Sequence, residues 1–284
     1  IRATGRDRVR FLHNLLSNDV KGLRPGQGNY HFLLNPQGRI QGDVNLYLFD
    51  DHILLDTEPE MRERVRAHLQ KYIIADQVTL EDVTADLATV AVEGPQADGV
   101  AGVSLPAESG AHIEADGITA GRTSATGQPG VWFFVEAARK AGIIARLERA
   151  GAVAAAAEDA RIVRVENALP RYGEDITDTI LPQETQQARA VSFTKGCYLG
   201  QEIVERIRSR GQVHRSLVQL AIEGQEPPAA GSAILAVGQE IGKLTSPVWS
   251  PRQERCLGLA IVRRELAPPG AAVTIAGRAA QVLR

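Results

Sequence analysis

The part of this sequence with the most residues able to do chemistry lies between positions 161 and 215. Its centre, at positions 195–202, reads KGCYLGQE. The two glycines allow a tight backbone turn and the close approach of a ligand, and a carboxylate suits the amino terminus of a following helix. The run therefore predicts a ligand-binding loop. The residues of this loop that we expect to contact a ligand are Gly196, Gly200, Gln201 and Glu202.

Cys197 is the residue of this loop that could act as a nucleophile or a redox group. A nearby ammonium lowers the pKa of a thiol and favours the reactive thiolate, and Lys195 precedes Cys197 closely. The alternative is that Cys197 packs as a small buried hydrophobe. Both interpretations stay open, with Cys197 and Lys195 as candidate catalytic residues, while Cys256 is interpreted as structural.

The elements that must position the loop begin with a unit predicted over residues 1–84. The unit reads as strand, helix, two strands, helix and strand. Its third strand is predicted to run from Val44 to Asp56, and its second helix carries apolar residues on one face over 59–72. This order predicts a ferredoxin-like sandwich, with two helices on one face of a four-stranded antiparallel sheet.

A second unit with the same order of elements is predicted over residues 85–213, and it carries the loop. Its predicted strands and helices are strand 87–92, a weak helix, strands 113–123 and 131–135, helix 137–150, a strand near Val153 and helix 158–167. From His214 to Arg284, short β-rich runs separated by Gly and Pro predict a small antiparallel barrel. The predicted fold is thus α+β, with domains at 1–84, 85–213 and 214–284.

Composition agrees with several domains in a globular chain. The 284 residues exceed the size at which one core usually stops growing. No stretch approaches eighteen uninterrupted apolar residues, so we expect no membrane partner. A formal charge of −2 argues against a surface built wholly for nucleic acid. Two cysteines without the spacing of a metal site indicate a reducing, cytoplasmic location and no metal centre.

Five stretches spread over nearly the whole chain carry a resemblance to a known family. Besides KGCYLGQE they are RFLHNLLSNDV, LLNPQGRIQGDVNLY, RVENALPRYGEDITDTILPQE, and TSPVWSP with LGLAIVRRE. They resemble, in the expected order, folate-binding proteins of the YgfZ type, which are relatives of the glycine cleavage T-protein, an aminomethyltransferase. The resemblance implies a T-protein-like three-domain arrangement and tetrahydrofolate or another folate derivative, including polyglutamylated forms, as the cofactor.

The resemblance also assigns roles to individual residues. In the T-protein a glutamate after a Pro-x step holds the pterin, and this sequence has Pro182-Gln183-Glu184 at that place. A carboxylate can accept the paired N–H donors of a pterin as it accepts an arginine fork. Tyr172 and Tyr198 either stack on a folate ring or pack in the core. Asp175 is expected to support the ligand-binding groups while Asx turns hold its loop.

The pair Gly42-Asp43 departs from the family pattern. In the aminomethyltransferases two adjacent aspartates stand here, and one acts near folate N5. One carboxylate is therefore missing, although Asp43 can still hydrogen-bond a folate, and Asn35 and Gln37 of the same turn can contribute. We expect the pocket to be kept and aminomethyl transfer to be lost.

A basic run follows the loop, with Glu205 as its only acid. Its members are Arg206, Arg208, Arg210, His214 and Arg215. Arginine binds carboxylate and phosphate bidentately, so the run suits a folate glutamate tail, with Arg206 as our first candidate contact. RNA phosphate and plain solvation are the alternatives.

The function implied by the resemblance is that of a tetrahydrofolate-binding accessory protein in iron–sulfur protein maturation or repair, and thereby in tRNA modification. Its protein partners would be iron–sulfur clients or assembly proteins. One alternative is an active folate-dependent aminomethyltransferase or other one-carbon transferase. The other is an RNA-binding or protein-interaction module using the basic run and the barrel, which the overall charge does not favour.

Overall fold

The computed structural model describes residues 1–211 and 213–284, apart from the side chain of Arg210. The predicted contribution of Arg210 to the basic run lies outside the described residues. The strands of the described chain form three antiparallel sheets, two in the first half and one near the carboxyl terminus. No helix of the described chain is both long and apolar enough to cross a bilayer.

The first sheet has five strands and two helices against one face. The elements are β1 Arg2–Thr4, α1 Arg8–Leu15, β2 Gln27–Leu34, β3 Ile40–Leu48, β4 Ile53–Asp56, α2 Arg62–Gln70 and β5 Thr79–Glu81. The strand order is β2-β3-β4-β1-β5. Side chains alternate along β3: Val44 and Leu46 join Leu12 of α1 and Val65 of α2 in one buried core. The intervening residues of β3 therefore face away from both helices.

The prediction of one strand from Val44 to Asp56 is wrong. The chain turns between β3 and β4, where the N–H of Phe49 donates to the carbonyl of His52 at 2.9 Å. The sequence hid this turn because Phe49 is itself buried, so the apolar pattern continues into the turn. The sheet has five strands instead of four, and the ferredoxin-like unit is not confirmed.

The second sheet has the order β6-β9-β8-β7. Its region contains β6 Leu87–Glu93, α3 Ala97–Ala101, β7 His112–Ala115, β8 Ile118–Gly121, β9 Gly130–Glu136, α4 Lys140–Arg149 and α5 Ala157–Glu166. On β9, Val131 and Phe133 are buried together with Leu147 of α4. The alternate residues, Trp132 and Phe134, pack in a different cluster, which also contains residues of the first sheet.

Two predictions for the second unit are wrong. The expected strand 113–123 is a hairpin, because Asp116 and Gly117 take φ values of 53° and 69° and reverse the chain as the two-residue Asp-Gly turn does. The expected strand near Val153 is absent from the described residues, and Val153 is 89% exposed. Without a partner strand beside it, an isolated β-branched residue does not form a strand.

A closed barrel follows α6 Gln201–Arg210. Its strands are β10 Arg215–Ile222, β11 Ala233–Ala236, β12 Gln239–Leu244, β13 Val248–Ser250, β14 Arg255–Arg263, β15 Ala272–Ile275 and β16 Arg278–Val282. All their pairings are antiparallel, and β10 pairs with both β14 and β16, which closes the sheet on itself. The predicted small antiparallel barrel is confirmed.

A buried ion pair joins α5, the following segment and the barrel. Arg164 of α5 donates to Asp175 at 2.7 Å and to Ser246 at 2.9 Å, and Ser246 donates to Asp175 at 2.5 Å. Residues between Tyr172 and Val204 pack on the core of the first sheet. The segment thus connects the first sheet to the barrel, and the predicted domain boundaries at residues 84 and 213 stay a prediction.

Candidate functional site

A cavity of about 650 Å³ lies beside the first sheet. Its size suits a ligand of moderate size. Strands β2 to β4 supply polar residues to its wall, β9 supplies aromatic residues, and the chain around α5 supplies arginines. The principal lining residues are Tyr30, Asp43, Asn45, Asp56, Glu58, Trp132, Phe134, Arg161, Arg171 and Arg189.

The strand register brings the polar wall together. Tyr30 of β2 pairs with Asn45 of β3, and Asn45 pairs with Asp56 of β4. Paired residues of antiparallel strands lie on the same face of a sheet, so these three side chains form a row across the strands. Asp43 lies two residues before Asn45 on the same face, opposite the face that packs on the helices.

Asp43 and Asp56 are the titrating groups of this wall. The Tyr30 hydroxyl donates to Asp43 at 2.6 Å, yet burial raises the pKa of Asp43 to about 6. Burial raises the pKa of Asp56 to about 7, against a weak opposing contact from the Asn45 amide at 3.4 Å. Both side chains are partly exposed, and that exposed part lines the cavity. Both carboxyls can therefore gain or lose a proton close to neutral pH.

Two arginines of the cavity bind carboxylates, and a third lies against an aromatic ring of the cavity itself. Arg171 pairs with Glu58 at 2.8 Å and also with Glu60. Arg161 pairs with Glu174 at 2.6 Å, and the Arg189 guanidinium lies over the ring of Tyr30, 4.8 Å from its centroid. Within the described residues no basic side chain comes within 4.0 Å of Asp43 or Asp56, so both carboxyls are available to a ligand.

Gly42 does not face this cavity. A Cβ atom at position 42 would lie 3.0 Å from Cγ2 of Val65 and 3.9 Å from the terminal methyl of Met61, on the side of α2. The expected loss of transfer chemistry relied on the carboxylate missing at this position. Since adjacent residues of a strand point to opposite faces, its absence removes nothing from the cavity that contains Asp43.

Lys195 attaches the KGCYLGQE loop, residues 195–202, to the carboxyl end of α1. Its ammonium donates to the carbonyls of His13, Leu16 and Asn18 at 2.5, 2.7 and 2.8 Å. Desolvation lowers the pKa of Lys195 to about 7, but three acceptors engage all three ammonium protons, and the helix carboxyl end favours a cation. The geometry therefore stabilises the charged form of Lys195. We call the three hydrogen bonds from its ammonium to His13, Leu16 and Asn18 the Lys195 clamp, because they join the loop to α1.

Cys197 is exposed beside this clamp. Gly196 is also exposed, with open space around the position of a Cβ atom. Gly200 has φ +81°, and a Cβ atom there would lie 2.6 Å from the carbonyl oxygen of Asn35. Only glycine fits this approach of α6 to the β2–β3 turn, so Gly200 has a packing role in this structure.

The remaining loop residues and Asn35 mainly shape the backbone. Asn35 accepts the N–H groups of Gln37 and Arg39 at 3.0 and 2.9 Å, which forms the turn between β2 and β3. Gln201 accepts the N–H of Tyr198 at 3.3 Å. Glu202 lies exposed in the first turn of α6, where a carboxylate is favourable.

Tyr172 and Tyr198 are buried in the first core. The hydroxyl of Tyr172 lies 3.4 Å from the carbonyl of Ile40, and burial raises its pKa to about 12. The hydroxyl of Tyr198 is buried without a hydrogen-bond partner among the described residues, and burial raises its pKa as well. Of the two interpretations given above for these tyrosines, stacking on a folate ring or packing in the core, the structure has both rings packed in the core.

Glu184 is buried outside this cavity and is already engaged. Its carboxylate accepts Nε and Nη2 of Arg215 at 2.8 and 3.0 Å and the N–H of Leu181 at 2.8 Å. Three of its roughly four acceptor positions are thus occupied. It lines a second cavity of about 730 Å³ with Arg39 and His214, and a pterin bound there would have to replace Arg215. Its predicted role stays a prediction.

The basic run is dispersed. Arg215 binds Glu184, whereas Arg208 lies 3.3 Å from Glu205 and over the ring of Phe193. Arg206 and His214 are exposed.

Asp175, buried with Arg164, also accepts the N–H of Arg171 at 3.0 Å. The structure therefore places the predicted site residues in at least three separate surroundings, and Asp43 is the one among them that lines the 650 Å³ cavity.

Several residues of the cavity were not anticipated from the sequence. They are Tyr30, Asp56, Trp132, Arg171 and Arg189. One signal was present: Asp43 and Asn45 alternate with apolar Val44 and Leu46, which indicates a strand with one polar face. The register that places Tyr30 and Asp56 beside them has no local signal.

Two antiparallel sheets and a carboxyl-terminal barrel define a T-protein-like fold. The crystal structure of the glycine cleavage system aminomethyltransferase T from Bartonella henselae superposes with a TM-score of 0.87 at 22% identity, covering 100% of this chain and 82% of that one. Residues 1–195 match the family model of the GCVT N-terminal domain, and residues 215–283 match that of the glycine cleavage T-protein C-terminal barrel domain. The chain belongs to the glycine cleavage T-protein (GCV_T) family.

Relatives with described names agree with this membership. The aminomethyltransferase of Geobacillus kaustophilus is 30% identical over 287 residues, which cover 95% of this chain and 78% of the relative. A putative chloroplastic transferase of Arabidopsis thaliana is 26% identical over 285 residues, covering 97% of this chain and 66% of the relative. The chain is thus similar along most of its length to a protein named aminomethyltransferase and to one named putative transferase.

Proposed function

We propose that this protein binds tetrahydrofolate in the 650 Å³ cavity and transfers a one-carbon unit to or from it. Its similarity to relatives named aminomethyltransferase supports a transfer reaction. The observation that carries the proposal is the environment of Asp43, a titrating carboxyl that faces this cavity with no basic partner. A side chain at position 42 would point away from the cavity, so the glycine found there is no argument against transfer.

The cavity residues fit such a ligand. Trp132 and Phe134 offer apolar ring surface for a planar heterocycle, while Asp43 and Asn45 offer polar groups to the same cavity. Arg189, which has no carboxylate partner within 4.0 Å in the described residues, suits a carboxylate of the glutamate tail. Size, aromatic surface and charge therefore support the assignment together.

Asp43 would carry the proton chemistry. Tetrahydrofolate supplies, when bound, an amine nitrogen that accepts or releases the one-carbon unit. As the bond between this nitrogen and carbon forms, Asp43 accepts the N–H proton, which ends on the atom that releases the carbon. With a pKa of about 6, Asp43 can act in both directions near neutral pH, and the Tyr30 hydroxyl holds it in place.

Calorimetric titration with tetrahydrofolate and its polyglutamylated form tests binding, and transfer of an isotope-labelled carbon tests turnover. We expect Asp43→Asn to retain binding within a few-fold and to lower transfer by about 10²- to 10⁴-fold. Asp51→Asn, on the exposed turn of the same hairpin, is the matched control. Failure of folded wild-type protein to bind tetrahydrofolate would contradict the proposal.

A comparison of two variants distinguishes the cavity from the Glu184 site. If the ring system binds in the cavity, Trp132→Ala weakens tetrahydrofolate binding and Glu184→Gln leaves it nearly unchanged. The reverse pattern would assign the pterin to Glu184 instead. Thermal unfolding of each variant shows whether a loss of binding reflects a loss of folding.

A second candidate function is the accessory role in iron–sulfur protein maturation that the YgfZ-type signature implies. Its supporting observation is Cys197, exposed within KGCYLGQE. In the described residues, no group of three or more His, Cys, Asp or Glu side chains could hold a metal ion, so the role would be that of a helper. This candidate is favoured if wild-type protein binds tetrahydrofolate without carbon transfer, and if Cys197→Ala abolishes activation of an iron–sulfur enzyme in a reconstituted assay.

A further inference from the structure

Asp56 shares the cavity with Asp43 but lies on the neighbouring strand. The register places Asp56 opposite Asn45, two residues from Asp43 along the same face. Diagonal neighbours of this kind lie roughly 7–8 Å apart. This is the separation of the backbones, and both side chains point to the same face of the sheet, so the two carboxyls can act on one ligand in the cavity.

Asp56 is not part of a structural ion pair in the described chain. Arg62 lines the same cavity but pairs with Asp82 at 3.0 Å, and Arg171 binds Glu58. The Ile1 amine nearby donates to the carbonyl of Leu55 at 2.8 Å. The one hydrogen bond that Asp56 accepts from a described side chain comes from Asn45, at 3.4 Å. A carboxyl on a cavity wall with so little holding it is suited to exchange with a ligand.

We propose that Asp56 is a second proton-exchanging residue of the cavity, which takes up the proton that Asp43 removes from the folate amine and delivers it to the atom that releases the one-carbon unit. This inference rests on the proposed function. The amine N–H bond breaks as its N–C bond forms, the bond from the donor atom to carbon breaks, and the donor atom gains the proton. Atoms and charge balance without an oxidant or reductant.

The reason for two carboxyls is electrostatic. Like charges close together in a desolvated site disfavour double ionisation, so the pair retains one proton over part of the neutral range. One member can then accept a proton while the other donates one, as transfer between two substrate atoms requires. Burial is the main cause that raises the pKa of Asp43 to about 6 and that of Asp56 to about 7, and the charge of Asp43 adds to the rise at Asp56.

The pH dependence of carbon transfer in Asp56→Asn tests the proposal, alongside calorimetry of tetrahydrofolate binding in buffers that differ in ionisation enthalpy. We expect about 10²-fold slower transfer, loss of the upper ionisation from the pH profile, and binding within a few-fold of wild type. Asp56→Glu should restore part of the rate and the upper ionisation. Asp51→Asn should match wild type throughout.

The failures of the two proposals differ. If wild-type protein binds tetrahydrofolate and transfers carbon, but Asp56→Asn keeps the wild-type rate and pH profile, the role of Asp56 is overturned and the proposed function stands. A slower Asp56→Asn enzyme with an unchanged pH profile also overturns it, since that is the signature of a merely structural contact. Absence of tetrahydrofolate binding by folded wild-type protein overturns both proposals.

Discussion

The cavity wall of β2 to β4 and the segment from Tyr172 to Glu202 treat their polar groups in opposite ways. In the segment, Lys195 binds three carbonyls and Asp175 binds Arg164 at 2.7 Å. In the wall, Asp43 and Asp56 have no basic side chain within 4.0 Å among the described residues. Lys195 and Asp175 are paired with oppositely polarised or charged protein groups, whereas Asp43, which accepts the Tyr30 hydroxyl, and Asp56 have no basic partner in the described part of the chain.

The difference shows why density of polar residues is a poor guide to chemistry. In the segment that is richest in polar residues, several of these residues form hydrogen bonds that join the segment to the first sheet, α1 and the barrel. A buried polar group without a partner costs free energy, so its retention in a cavity points to a ligand more strongly than a crowded motif does. Four measurements test this contrast.

The largest effect is expected for Asp175→Ala. Removing one partner of a buried ion pair leaves Arg164 without part of its compensation and should destabilise the protein by about 3–5 kcal/mol. Urea unfolding measures the loss. Asp178→Ala is the matched control, since Asp178 pairs with Arg64 at 3.2 Å but its side chain is 53% exposed, and such pairs contribute about 0–1 kcal/mol. If Asp175→Ala and Asp178→Ala lower the free energy of unfolding equally, the buried pair of Asp175 is no more important for folding than an exposed one.

Lys195→Met should have the next largest effect. The side chain keeps most of its apolar length, but three carbonyls at the end of α1 lose their donor, which should cost about 2–3 kcal/mol. Lys71→Met, at the exposed end of α2, should change stability little. If Lys195→Met unfolds at the wild-type urea concentration, the clamp is not structural, and a chemical role for Lys195 gains support.

Replacing a carboxyl of the cavity should stabilise the protein at neutral pH, whereas replacing Asp175 or Lys195 should destabilise it. Because the native pKa values of Asp43 and Asp56 are raised to about 6 and 7, the native state holds protons that the unfolded state releases above about pH 4. Their contribution to stability therefore falls as pH rises from about 4 to 7.

Asp43→Asn and Asp56→Asn should each remove this penalty. At pH 7 we expect each variant to be about 1–2 kcal/mol more stable than wild type, and at pH 4 about equal to it. Unfolding free energies measured across this range for wild type and both variants give the comparison. A variant that is less stable than wild type at pH 7 would show that its carboxylate is paired.

The smallest effect on stability is expected for Cys197→Ala. Cys197 is exposed and Cys256 is buried, and burial raises the pKa of Cys256. We expect one thiol to react with a water-soluble reagent in native protein and two after unfolding, with the variant within about 0.5 kcal/mol of wild type. Two reactive thiols in native wild type, or one in native Cys197→Ala, would show that the barrel opens around Cys256.

Local patterns in a sequence can predict features whose causes are local. The β-rich runs between Gly and Pro after His214 predicted the barrel, which the structure confirms. The alternation around Asp43 and the Asp-Gly turn signal at Asp116 and Gly117 were also present, but we predicted a strand that began only at Val44 and one strand over 113–123. The strand expected near Val153 was wrong, because one β-branched residue does not supply a partner strand.

The amino-acid sequence by itself determined the family and the barrel, and it indicated Asp43 as a candidate contact in a folate pocket. Only the tertiary structure decided which residues meet there: the row of Tyr30, Asn45 and Asp56 depends on strand register, and the clamp joins Lys195 to carbonyls 177 to 182 positions away. The physical reason is that periodicity fixes the direction in which a side chain points, whereas its partner depends on how distant segments pack. Among the described residues, the lack of a basic partner at Asp43 and Asp56 follows from that packing.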